Sequence, residues 1–169
     1  QPSTIGVAIA ALLANKTGRP VKFVHSREET FIDGTTEIPA IVYIKDGVAK
    51  DGRLVAREMK VIQNAGAYSG YTPMTVHNAS YAATGTYRIP HFKADIYTVF
   101  TNETPTGPFR GYAAIGVQWA IESHMDVIAA KLQIDPVQIR SLNILKEGEK
   151  DPLGQTADNI KLQECLDRV

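Results

Sequence analysis

A single cysteine, Cys165, is all the thiol chemistry in this 169-residue chain. It excludes an internal disulfide and a thiolate metal cage, and it favours a reducing compartment. There is no apolar run of membrane length and no signal-type h-region, so the sequence reads as a soluble, cytoplasmic protein. Charge of one sign is missing too. Lys and Arg total 18 and Asp and Glu total 18, which leaves no broad field for nucleic acid, an anionic membrane or an acidic substrate. Any charged ligand has to be met locally. His25, His77, His91 and His124 show no HExxH or other paired-ligand spacing. The serine of "GAYSG" falls one place late for the G-x-S-x-G elbow, so nothing supports a hydrolytic triad. N-x-[ST] triplets at Asn15, Asn78 and Asn102 lack the signal peptide and cysteines that would make them glycosylation sites. Repeats, coiled-coil heptads and low-complexity segments are absent as well.

What is present suffices for a sizeable core: 44% of the residues are hydrophobic, and the length suits one domain over residues 1–169. Ile5, Ala8, Ile9, Leu12 and Leu13 follow helical spacing that ends at Gly18 and Pro20. "VKFVHS" (21–26) reads as a strand and "SREET" (26–30) as a solvated loop. Strand runs at about 38–45 and 53–63 flank Asp46-Gly47 and Asp51-Gly52, both turn dipeptides, and predict an antiparallel hairpin. Thr72-Pro73 starts a short helix that carries Val76, His77, Asn78 and Tyr81. "FKADIYTVFT" (92–101) places Phe92, Ala94, Ile96 and Phe100 on one strand face. Val117, Ile121, Met125, Ile128 and Leu132 form a stripe along a helix over 112–132. Asp135 caps another helix, with Pro136 at its first position and Leu142 and Leu145 on its buried face. Residues 146–158 read as a solvated connector. This mixture predicts an α+β fold: a mixed or antiparallel sheet with a long β-hairpin, packed against several α-helices. The chain opens on "QPSTIG", with Pro2 suited to a first helical turn. It closes with Leu162, Cys165, Leu166 and Val169 still in amphipathic spacing. A piece of a longer polypeptide is expected.

"TPTGPFRGY" (104–112) joins the end of a strand to the start of a helix, where backbone N–H groups are unpaired and the helix dipole favours negative charge. Gly107 and Gly111 admit close approach of a ligand to the main chain, while Pro105 and Pro108 stiffen the path. Two readings stay open. Either the loop meets an anion or a polar cofactor, or Arg110 bonds nearby carbonyls and the loop is ordinary. Glu122 and Asp126, four apart on a helix, are a weak metal pair because no His joins them. Tyr68, Tyr71, Tyr81 and Tyr87 either line an aromatic pocket or pack singly, and Cys165 reads as a small core residue.

Several pieces recur in order along the chain: "AALLANKTGRPVKFVHSREET", "DGRLVAREMKVIQNAGAY", "GTYRIPHF", "TNETPTGPFRGY" and "ESHMDVIAAKLQIDPVQIRSLNIL". With TGRPV, NAGAY, YRIP, TN and FRG at these separations, the sequence resembles the molybdopterin-binding subunit of the xanthine dehydrogenase and aldehyde oxidase family. The resemblance implies part of a molybdenum hydroxylase, an enzyme that oxidises a heterocycle or aldehyde with oxygen taken from water. It implies a molybdenum-molybdopterin cofactor of unspecified nucleotide form in the full enzyme. The implied partners are the remainder of the subunit, iron–sulfur and FAD subunits or domains, and a small-molecule substrate. It further implies that Phe109, Arg110 and Gly111 approach the cofactor, chiefly by main chain, and that Asn78 and Tyr112 face substrate.

Departures from the family pattern narrow this. Asn78 stands where xanthine-oxidising members carry an Arg, which argues against xanthine, and Gly111 stands where carbon monoxide dehydrogenases carry Cys. Ala113, Ala114, Ile115 and Gly116 replace the usual Gly-x-Pro-Gln, and Glu37-Ile38-Pro39 replaces Arg-His-Pro. The family's "GGFGGK" loop is expected just before Gln1 and its general-base Glu far beyond Val169. This piece alone is therefore expected to hold no catalytic residue, no protein metal ligand and no tightly bound cofactor, and to be inactive. The alternative is a noncatalytic binding domain derived from the same fold.

Overall fold

The computed structural model describes residues 4–168, excepting the side chains of Thr4 and Ile5. Pro2 and Val169, singled out in the sequence, lie outside the described residues, as does the side chain of Ile5. The chain divides into two compact units at Thr36/Glu37.

In the first unit, α1 (Thr4–Thr17) ends where Gly18, at φ 62°, donates its N–H to the Ala14 carbonyl at 2.9 Å. Ile9, Leu12 and Leu13, which carry the helical spacing, are exposed. "VKFVHS" is not a strand. Residues 21–26 form no regular element and have no ladder partner among the described residues, because β-branched side chains make a strand only where a neighbour supplies the hydrogen bonds. "SREET" is not a loop either, since it starts α2 (Arg27–Asp33). Ser26 Oγ accepts from Glu29 N–H at 3.1 Å, and the Glu29 carboxylate accepts from Ser26 N–H at 2.7 Å. This reciprocal capping box is the S-x-x-E signature of a helix start. Its hydrogen bond from the Ser26 backbone holds the Glu29 carboxyl below its ordinary pKa.

The two-residue strand β1 (Thr36–Glu37) spans the boundary, and the second unit carries the sheet. Here β2 (Ala40–Val48) and β3 (Leu54–Gly66) form the expected antiparallel hairpin, with Ile44 opposite Met59 and Asp46 opposite Arg57. The reversal sits at 49–53, where Gly52 adopts φ 92° and donates to the Ala49 carbonyl at 2.9 Å. Asp46-Gly47 is not a turn. It continues β2 and meets the register shift at Gly47/Val48, because Asp46 pairs inward with the arginine opposite it.

After β3 come α3 (Thr72–Ala82) and β4 (His91–Phe100), which returns parallel to β3 and completes the order β2-β3-β4. The sheet is therefore mixed, and the α+β expectation holds. Phe92, Ala94 and Ile96 face the core as expected, but Phe100 does not. It lies opposite Gly66, past a register shift in β3 that breaks the alternation.

The short strand β5 (Thr106–Gly107) leads to α4 (Ala114–Leu132), α5 (Pro136–Asn143) and α6 (Leu162–Arg168). Val117, Ile121, Met125 and Ile128 of α4 are buried with Met59, Val61, Ala79, Tyr87 and Ile139 in one core, and Leu132 packs against it. Asp135 caps α5 as expected, accepting from Val137 and Gln138 N–H at 2.8 and 2.9 Å. The inward positions of α5 are Ile139 and Asn143, with Leu142 only half-buried; Leu145 is buried beyond the helix end. On α6 the i, i+4 pair Leu162 and Leu166 packs against the core. Cys165 is exposed rather than a core residue.

Candidate functional site

The segment from the end of β4 to the start of α4 is built on main-chain contacts with the end of β3. Thr101 N–H donates to the Gly66 carbonyl and Ala67 N–H donates to the Glu103 carbonyl, both at 3.0 Å. A Cβ on Gly66, which sits at φ 66°, would collide with the Thr104 carbonyl oxygen. Only glycine permits that approach. Thr106 is buried, and its hydroxyl donates to the Asn64 carbonyl at 2.8 Å.

From this support the chain enters the turn at 108–113. Phe109 and Arg110 are exposed there, and Arg110 makes no hydrogen bond or ion pair to the described residues. Its guanidinium therefore binds no carbonyl among the described residues. Gly111, Tyr112 and Ala113 take φ of 97°, 49° and 71° in succession. For the two non-glycine residues, backbone in this region costs about 1–3 kcal/mol each, a sizeable share of the ~5–15 kcal/mol that holds a domain folded. The turn is fixed by Tyr112 N–H donating to the Phe109 carbonyl and Ala114 N–H to the Gly111 carbonyl, both at 2.9 Å, and by burial of Ala113. Such strain persists where surrounding structure dictates it, and functional turns are where it collects.

The exit from the turn is the N-terminus of the 19-residue α4. Its N-cap, Ala113, has no side chain to accept from the first-turn N–H groups, so the positive end of the helix dipole is left uncapped. A Cβ on Gly116 would meet nothing within 4 Å, so the first turn is open on that side. At Gly111 a Cβ would come within 2.9 Å of Ile115 Cγ1, which excludes larger residues. Chemically, the arrangement offers an anionic or polar group the open end of a helix and, in Arg110, a guanidinium unpaired among the described residues.

Of the other residues expected at a site, Tyr112 is half-buried in the turn itself. Asn78 is half-buried on α3, a helix that packs against both β5, which leads into the turn, and α4, which leads out of it. Its amide makes no hydrogen bond among the described residues. The tyrosines form no pocket: Tyr87 is buried, whereas Tyr68, at 81% exposure, Tyr71 and Tyr81 lie at the surface. Glu122 and Asp126 are engaged by Arg140, at 2.8 and 2.7 Å, and no metal-competent cluster occurs among the described residues. Asn64 and Glu103 are site-supporting residues that local sequence does not reveal. The available signal is faint: N-A-G and T-N-E place polar residues at the ends of two strands.

The model for the molybdopterin cofactor-binding domain matches residues 2–144. The chain is 38% identical over 144 residues to a probable xanthine dehydrogenase subunit of Bacillus subtilis, covering 85% of this chain and 19% of that protein. It is 35% identical over 160 residues to the nicotinate dehydrogenase large molybdopterin subunit of Eubacterium barkeri, covering 94% and 38%. Among solved structures, an aldehyde oxidoreductase from Desulfovibrio gigas superposes with a TM-score of 0.88 at 30% identity, over 95% of this chain and 18% of the other. This chain thus spans about a fifth to two fifths of the length of these proteins. With the hairpin, α3, β4 and α4 in the expected order and an open, glycine-bearing turn at a helix N-terminus, these matches establish that the chain belongs to the molybdopterin cofactor-binding domain family.

Proposed function

We propose that residues 1–169 are one part of the molybdopterin-binding region of a cytoplasmic molybdenum hydroxylase subunit, and that the turn at 108–113 is its contribution to the cofactor cradle. The observation that carries this is the run of three positive-φ residues leading into an uncapped helix, beside an Arg110 that is unpaired among the described residues. Main-chain N–H groups near Gly111 and the Arg110 guanidinium suit the phosphate and polar edge of a pterin cofactor, and Gly111 leaves the main chain bare. When bound, that group supplies the redox centre at which a heterocycle or aldehyde is oxidised with water-derived oxygen. The chain's own share is to bind and orient: Phe109, Arg110 and Gly111 toward cofactor, Asn78 and Tyr112 toward substrate. With Asn78 rather than an Arg on α3, the pocket has no cation there to orient a purine such as xanthine. The electrons pass to iron–sulfur and FAD partners, and this piece is inactive alone.

The test is molybdenum and pterin analysis of the full-length gene product. Gly111→Val, which places a branched side chain against Ile115 in a left-handed backbone, is expected to lower molybdenum per chain severalfold. Undiminished metal in that variant would overturn the role of the turn. A full-length product that never takes up molybdenum would favour a noncatalytic binding domain.

A further inference from the structure

One side-chain amide joins the end of β3 to the segment that feeds the turn. Asn64 Oδ1 accepts from Gly66 N–H at 2.9 Å and from the Thr101 hydroxyl at 2.8 Å, while Nδ2 donates to the Glu103 carboxylate. Its main-chain carbonyl accepts from Thr106. The orientation of the amide follows from its partners. A main-chain N–H can only donate, so Oδ1 faces Gly66 and Nδ2 is left for the acceptor-only carboxylate. Three of the four partners, Thr101, Glu103 and Thr106, lie on the stretch leading into Pro108. Thr101 Oγ1 in turn receives Glu103 N–H at 3.4 Å.

Tyr112 and Ala113 hold an unfavourable backbone geometry that relaxes unless both ends of the turn are fixed. The exit is fixed by α4 and buried Ala113. For the entry, we propose that Asn64 is a positioning residue: its amide latches residues 101–103, upstream of the Thr106 bond to its main-chain carbonyl, and so sets the direction in which Phe109, Arg110 and Gly111 are presented. The latch is a property of this chain, and its consequence for cofactor rests on the reading of the turn given above. The chemistry requires a donor and an acceptor on one short side chain. Aspartate would keep the Gly66 and Thr101 bonds but set two carboxylates against each other, and a glutamine at 103 would then restore a donor to face it.

Trypsin reads the latch through the exposed Arg110–Gly111 bond in the 169-residue chain, with cleavage after Arg53 in the distant hairpin turn as the internal control. Asn64→Asp is expected to speed cleavage at Arg110 by roughly tenfold relative to Arg53, the scale of a lost hydrogen bond to a charged group. Asn64→Asp combined with Glu103→Gln is expected to return the rate to within about threefold of the parent. A single variant that leaves the ratio unchanged, or a double variant as fast as the single, would overturn the latch. Molybdenum content of the full-length product carrying the same variants is the second readout, expected to fall and then recover in step. A latch that governs cleavage with no effect on metal content would uphold the positioning of the turn and sink its role at the cofactor.

Discussion

Replacing Asp46 by alanine strips the counter-ion from a guanidinium that has nowhere else to turn. The side chains of Arg57 and Asp46 are 0% and 1% exposed, and the pair is two-pronged, Nε to Oδ1 at 2.9 Å and Nη2 to Oδ2 at 2.7 Å. Nη2 otherwise touches Met125 Sδ at 3.9 Å, and Nη1 already lacks an acceptor among the described residues. A surface pair would be worth about 0–1 kcal/mol, whereas removing one partner of a buried pair costs about 3–5 kcal/mol because the remaining charge is stranded. In a unit of this size that is a fall in Tm of roughly 10–20 °C. Urea unfolding followed by circular dichroism measures it, with an unchanged slope as the sign that stability alone has moved. Asp46→Val with Arg57→Met is expected to recover most of the loss, since an apolar pair of similar summed volume carries no desolvation cost. A loss below about 1 kcal/mol for Asp46→Ala would refute the reasoning, because it would mean that Arg57 reaches water or another acceptor. The outcome matters for the site: Met125 and neighbouring His124, whose Nε2 lies 3.7 Å from Asp46, tie α4 to the sheet, and α4 is the element that fixes the exit of the turn.

His124 supplies a pH test. Burial lowers its pKa, with Arg57 and Lys131 acting the same way and Asp46 opposing them. The unfolded chain therefore takes up the proton first, and stability falls as pH drops through the ordinary histidine range near ~6.5 toward the lower folded value, with no contribution above it. His124→Gln is expected to flatten that part of a stability-versus-pH curve, and an unchanged curve would count against the assignment. Tyr87→Phe removes the hydroxyl that donates to both Glu122 oxygens, at 2.8 and 2.9 Å, and whose own pKa is pushed up by burial and by that carboxylate. With Arg140 still holding Glu122, the loss is expected near 1.5–3 kcal/mol by urea denaturation, as for a bond to a charged acceptor, and a neutral effect would show the bond to be dispensable.

Local rules carry much of the fold in the sequence. The hairpin, the α3 start at Thr72-Pro73, the α4 stripe and the Asp135 cap each follow from residues close in the chain, through turn chemistry, capping or periodicity. So does the candidate turn, because glycines and prolines between a strand and a helix announce a bare main chain. Local rules also mislead where a distant partner decides. The stretch 21–26 has strand composition but no pairing neighbour among the described residues, and Asp46-Gly47 has turn composition but faces Arg57 across a ladder. Nothing in the local sequence marks Asn143, yet it is buried, accepts from Leu54 N–H and donates to the Gly52 and Ile139 carbonyls, all at 2.8 Å.

What the sequence determined by itself is the family and the α+β class, and it marked the turn that we propose meets a cofactor, since order, spacing and glycine placement are properties of the chain alone. What only the tertiary structure decided is how that place is held: Asn64 beside Glu103, Gly66 against Thr104, and Arg57 locked to Asp46 beneath α4. Such contacts join residues far apart in number, and a polar side chain's partner is chosen by the packing that brings it within hydrogen-bond reach, which no local spacing encodes.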